Sequence, residues 1–134
     1  MTALTDASAS IAAITRRDAP TLTPATPMRR ATALLAESGP AAAVVDDSGA
    51  LLGILTQKDC FRLALQASYH QEWNGTVADH MSRGPVCLPV ETDLATAAGA
   101  FLSHSHRVFP VLDGTRLLGL LHREDVLAAL VRLG

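Results

Sequence analysis

Short apolar runs, not long ones, set the pattern of this chain. Residues 42–45 and 51–55 form one pair of runs, and residues 108–112 and 117–121 a second. Each is the length of a buried strand. Turn chemistry joins each pair: Asp47-Ser48-Gly49 in the first and Asp113-Gly114 in the second. Gly and Asp tolerate the positive φ of a tight hairpin. Apolar residues at helical spacing precede each hairpin, over residues 28–37 and 94–104, and follow it, over residues 57 to about 69 and 123–133. Short extended pieces at residues 21–23 and 86–88 come first in each set. The predicted class is α+β, with the order β-α-β-β-α occurring twice.

The two sets are copies of each other. Sliding the chain by 66 positions aligns residues 10–68 with 76–134 without a gap and matches twelve identical residues, seven of them between Val45 and Asp59. Leu51-Leu52-Gly53 meets Leu117-Leu118-Gly119, Leu55 meets Leu121, and Asp59 meets Asp125. Clustering of this kind points to internal duplication. A unit of about 55 residues buries too little surface to be comfortable alone, so the copies are expected to pack together about a pseudo-two-fold axis. The first domain is placed at residues 10–70 and the second at 76–134. Residues 1–9, rich in Thr, Ala and Ser, are expected to be flexible. Between the domains, Asn74-Gly75 is a turn signal, and Thr76 is expected to cap a short helix through Met81 with Asp79 as its partner.

Composition narrows the function. The 134 residues carry a net charge of −2 and no basic stripe, which argues against nucleic acid as a partner. The longest purely apolar run, residues 126–131, is far below the roughly 20 residues of a membrane span. Cys60 and Cys87 show no metal-type spacing, and a cytoplasmic protein with reduced thiols is the simplest reading. No nucleophile–base–orienter set or phosphate-cradling Gly-rich loop is visible, so the chain reads as non-enzymatic.

The strand–turn–strand segments followed by Gly53-x-x-Thr56-x-x-Asp59 and Gly119-x-x-His122-x-x-Asp125 resemble the cystathionine-β-synthase (CBS) domain family, whose members occur as tandem pairs called Bateman modules. Asp79-His80-Met81-Ser82-Arg83 and Phe109-Pro110-Val111-Leu112-Asp113 extend the resemblance, which runs from about Ser10 to Leu133. It implies ligand clefts between the paired domains for AMP, ADP, ATP or S-adenosylmethionine, with no further cofactor required. Carried across, the first site would use Thr21, Leu22, Ala42, Val44, Thr56 and Asp59. The second would use Cys87, Leu88, Val108, Pro110, His122 and Asp125, with Arg107 as a phosphate contact.

Each of these residues also has a plainer reading. A carboxylate at Asp59 can accept from two vicinal ribose hydroxyls, yet Thr-x-x-Asp is equally an N-terminal capping pattern. Gly53 either lets a backbone approach closely or marks a bulge. His122 departs from the family's Ser/Thr. It is a poor cap, is large enough to fill ribose space, and would make the second site respond to pH near about 6.5. Arg107, Lys58 and Arg123 are either phosphate contacts or solvated surface charges. In the gapless alignment Arg107 faces Ala41, so the second site is expected to be the more basic.

Three functions remain. A ligand-sensing regulatory module acting on a separate effector protein is the leading one. A homodimeric scaffold with vestigial clefts is the second, suggested by Ala-rich helices (Ala97, Ala98, Gly99, Ala100; Ala128, Ala129) and by the homodimers the family forms. A metal sensor built on His104, His106 and His122 is the third, although an H-x-H pair with one distant His lacks known zinc spacing.

Overall fold

In the computed structural model, which describes residues 6–134, the chain divides into two units. One is Ala19–Pro85. The other joins the segment up to Asp18 to Val86–Gly134.

The Ala19–Pro85 unit runs β1 (Thr21–Leu22), α1 (Met28–Ser38), β2 (Ala41–Val45), β3 (Leu51–Thr56), α2 (Gln57–His70), α3 (Val77–His80) and β4 (Ser82–Arg83). Its sheet has the order β1-β2-β3-β4, with β1 parallel to β2 and the other pairs antiparallel. The β2–β3 turn is held by the Asp46 carboxylate, which accepts from the Ser48 and Ala50 amides at 2.8 and 3.0 Å. Gly49 supplies the positive φ of 87° that closes it. α1 buries Met28, Ala31 and Leu35, and α2 buries Cys60, Leu63 and Ala67, each set at helical spacing. The α1 and α2 faces meet Leu22, Ala42, Val44 and Leu55 of the sheet in one core, which Val77 and Met81 complete. α3 begins as expected, with the Thr76 amide donating to Asp79 Oδ2 at 2.9 Å.

The second unit runs a short 3-10 helix (Ile11–Ile14), β5 (Leu88–Pro89), α4 (Leu94–Ser103), β6 (Val108–Asp113), β7 (Arg116–His122) and α5 (Arg123–Leu133). β5 lies parallel to β6, and β6 antiparallel to β7. Its core gathers Leu88, Leu94, Phe109, Val111, Leu121, Val126 and Ala129, and a fully buried Ile11 from the 3-10 helix belongs to it. The expected β-α-β-β-α order is therefore present twice.

Three features were not foreseen. First, lead-in segments are exchanged: the residues that open the first repeat complete the unit of the second repeat, and the residues that open the second repeat complete the unit of the first. Arg16 pairs with Leu120 on β7 through N–H···O bonds of 2.8 and 3.0 Å, where β4 occupies the corresponding edge of β3. Second, of the residues 1–9 expected to be flexible, residues 1–5 lie outside the described residues, and the remainder is hydrogen-bonded to the second repeat. The carbonyls of Ala7 and Ala9 accept from Ala95 and Leu94 at 3.0 Å each, and the Ser10 hydroxyl donates to the Val90 carbonyl at 2.7 Å. Third, the gapless alignment is one residue out of register across the first strand of each hairpin. Val44 faces Gly53 and Val111 faces Gly119, so β2 and β6 differ by 67 positions while β3 and β7 differ by 66. The β6–β7 turn is simply one residue shorter. A register break recurs at the equivalent place in both copies, Val44/Val45 and Val111/Leu112.

Candidate functional site

Side chains alternate across a strand, so each sheet has a core face and an opposite face, and the candidate residues divide between them. In the first unit Leu22, Ala42 and Val44 belong to the core. The opposite face carries Ala41 and Ala43 of β2 with their partners Thr56 and Ile54 of β3. Thr21 is exposed. In the second unit Leu88 is in the core, whereas Val108 and Pro110 share the opposite face with their partners His122 and Leu120. The one-residue register difference explains the contrast: Ala41 and Ala43, not Ala42 and Val44, stand where Val108 and Pro110 stand. It also aligns Arg107 with Pro40, whose carbonyls accept equivalent bonds from the Arg123 and Gln57 amides at 3.1 and 2.9 Å. Arg107, Lys58 and Arg123 are exposed, and Cys87 is half-buried.

The two motif acids sit at the third position of α2 and α5, and their surroundings differ. Thr56 caps α2. Its hydroxyl accepts from the Asp59 amide at 3.2 Å, and its own amide and hydroxyl both donate to Asp59 Oδ2 at 2.9 Å. The capping function is thus present, and it engages one carboxylate oxygen. Asp59 also borders a pocket of about 50 Å³ with Arg62, Leu63, Gln66 and His80, far smaller than a small-molecule site of roughly 300 Å³ or more.

Asp125 has a different partner. Arg16 Nε donates to its Oδ2 at 2.7 Å and Arg16 Nη2 to its Oδ1 at 3.0 Å, a two-pronged ion pair. The Arg16 guanidinium holds the Asp125 carboxyl below its ordinary range, and Asp125 in turn raises Arg16. Arg16 escaped the sequence reading because it lies 109 positions from Asp125. The available signal was the match of Arg17 with Arg83 in the shared lead-in.

His122 occupies the cap position of α5 without making a side-chain capping bond. It is 5% exposed, and its Nδ1 has no hydrogen-bond partner among the described residues. Glu124 Oε1 stands 3.7 Å away, beyond hydrogen-bond reach. Burial, reinforced by the Arg16 charge, pushes its pKa down, against the weaker opposite pull of Glu124 and Asp125. The imidazole is therefore neutral at pH 7, and its titration lies below the unperturbed value that the sequence suggested. Because the unfolded chain binds this proton more readily, stability falls as pH drops through about 6.5 toward the lower folded value. His122→Thr, which copies Thr56, is expected to flatten the melting temperature between about pH 7 and pH 5. A wild-type midpoint already flat over that range, measured by calorimetry, would contradict this.

His104 and His106 meet edge to face at 5.2 Å between ring centroids, and His106 stacks on Phe109 at 5.3 Å. Among the described residues, no group of three or more His, Cys, Asp or Glu side chains is placed to hold a metal ion. No helix among them is long and apolar enough to cross a membrane.

Comparison with known proteins agrees with this architecture. The structure of CBSX2 solved in complex with AMP matches with a TM-score of 0.81 and 26% identity, covering 93% of this chain and 98% of that one. CBSX2 from Arabidopsis thaliana, described as a CBS-pair protein, matches with a TM-score of 0.82 and 26% identity over 93% of this chain and 96% of that one. YtoI, an uncharacterized protein of Bacillus subtilis, is 36% identical over 88 residues, which are 65% of this chain and 18% of YtoI. The chain thus spans less than a fifth of that relative. The CBS domain profile matches residues 11–66 and again 77–132. The chain belongs to the CBS domain family and carries a tandem pair of its domains.

Proposed function

We propose that this chain is a regulatory module that senses an adenosine-type nucleotide and acts on a separate partner protein. AMP, ADP, ATP and S-adenosylmethionine are the ligand class, and no catalytic step is assigned. The observation that supports it best is the Thr56–Asp59 pair at the start of α2, next to the sheet face of Ala41, Ala43 and Ile54. That puts buried apolar side chains beside an acid suited to ribose hydroxyls, in a chain similar to a protein solved with AMP. The N-terminus of α2 favours a phosphate nearby. Residues proposed to take part are Thr21, Thr56 and Asp59 in the first site and Val108, Pro110, His122 and Arg107 in the second, with Leu22, Ala42, Val44, Cys87 and Leu88 contributing backbone groups. Asp125 belongs to the second site by position.

A thermal-shift series with the four nucleotides tests this. Ligand at about 100 times its dissociation constant adds roughly 2.7 kcal/mol, which is several degrees in a chain of this size. Asp59→Asn should remove most of the shift. The ligand-induced shift, not the absolute midpoint, is the readout, because Asp59 also closes the α2 cap. No shift with any of the four at millimolar concentration would end the reading.

A second reading, a homodimeric scaffold, has its own observation. Phe61, Leu65 and Tyr69 form an exposed apolar stripe on α2, at 67%, 61% and 83% exposure, and Leu127 and Val131 form another on α5. The four-residue spacing puts each set on one helix face, which a second copy of the chain would cover. A tight dimer that forms without nucleotide and is unchanged by Asp59→Asn would favour it.

A further inference from the structure

We infer that Arg16 makes the two nucleotide sites unequal: by holding both carboxylate oxygens of Asp125 it withdraws that acid from ribose recognition and leaves Asp59 as the ribose-reading carboxylate of the chain. This rests on the nucleotide-sensing reading proposed above and says which of its two sites takes the ligand.

Where the lead-in segment crosses the second strand of the hairpin, the two units carry different residues. In the second, Arg16 lies against β7 at Leu120, over Gly119. In the first, Ser82 lies against β3 at Ile54, over Gly53. The backbone arrangement is the same, and a hypothetical Cβ on either glycine would strike the facing carbonyl, that of Arg16 at 2.2 Å or that of Ser82 at 2.6 Å. The side chains are not the same. Arg16 is a permanently charged planar fork that matches a carboxylate in two places. Ser82 carries no charge, and among the described residues Asp59 makes no ion pair.

Arg16 is held where it is needed. Its amide and carbonyl are both bonded to Leu120, so the guanidinium is delivered to Asp125 from a fixed backbone. Its Nε and Nη2 take one carboxylate oxygen each, at 2.7 and 3.0 Å. A vicinal diol would have to compete with both bonds to reach Asp125. At Asp59 the engaged oxygen is Oδ2, and the bonds it receives come from Thr56 in the cap. The buried His122 beside Asp125 adds bulk at the position where the first site has Thr56.

Calorimetric titration with AMP tests this. The wild-type chain should bind one AMP, weakened at least tenfold by Asp59→Asn. Arg16→Ser, which copies Ser82, should keep that site and gain a second AMP per chain. Adding Asp125→Asn to Arg16→Ser should remove the gained site. Ser82→Arg should weaken the first site at least tenfold. If Arg16→Ser does not fold, Arg16→Met, which keeps the length of the side chain but loses the charge and the fork, should still show the second site. Wild-type binding with unchanged stoichiometry in the Arg16 variants, or two equal sites in the wild type, would overturn the inference while sparing the nucleotide reading. Absence of binding in every variant by AMP, ADP, ATP and S-adenosylmethionine alike would overturn both.

Discussion

Gly119→Ala is expected to cost about 3 kcal/mol of stability, in the range of overpacking a tight contact, and to lower the thermal midpoint by about 10 °C. The new methyl would sit 2.2 Å from the Arg16 carbonyl oxygen and 3.1 Å from the Arg17 Cα. These are backbone atoms, so no side-chain rotation relieves the clash. Relief requires the segment to leave β7, which gives up the two Arg16–Leu120 bonds and disturbs the burial of Ile11. The Arg16–Asp125 pair would go with it. Gly99→Ala is the control, because a Cβ there meets nothing within 4 Å and the residue lies inside α4. It should be neutral or stabilise slightly. A Gly119→Ala midpoint equal to that of Gly99→Ala would show that the segment does not seat on β7 in solution.

Phe109→Ala is expected to cost about 4 kcal/mol, read as a shift in denaturant midpoint with little change in slope. Phe109 is fully buried on the core face of β6 opposite Leu121. Its ring packs on Phe101 at 4.6 Å, on His106 at 5.3 Å and on His104 at 5.6 Å between centroids. The loss is felt at the candidate site because Val108 and Pro110 flank Phe109 on the same strand and present the opposite face. A cost below about 1.5 kcal/mol would indicate a site that collapses easily.

The strands and helices were legible because each apolar run is bounded by turn chemistry and each helix keeps its apolar residues on one face. The Thr56 and Thr76 caps were legible for the same local reason. Register was not. Val45 with Val111 and Asp47 with Asp113 are identical pairs in the gapless alignment, yet the structure aligns Val44 with Val111 and Asp46 with Asp113, because one turn is a residue shorter. A one-residue slip exchanges the faces of a strand, so the gapless alignment sets Ala42 and Val44 against Val108 and Pro110 although their side chains lie in the core. Arg16 was invisible for another reason: nothing local marks a residue whose partner is 109 positions away. His122 is visible in the sequence as a departure from the family's Ser/Thr, but its burial, and hence the direction of its titration, depends on packing.

The exchanged lead-in also orders events in time. For Arg16 to reach Leu120 and Asp125, the chain between them must close a very long loop. The entropy of that closure must be overcome before the contacts return anything. The strand pairs and helices within each unit involve far shorter separations and can form without it. Contacts made after the transition state act on the unfolding rate and leave the refolding rate nearly untouched. The segment around Arg16 is then expected to dock late and to release early, so residues that open the first repeat should bear on the lifetime of the second unit.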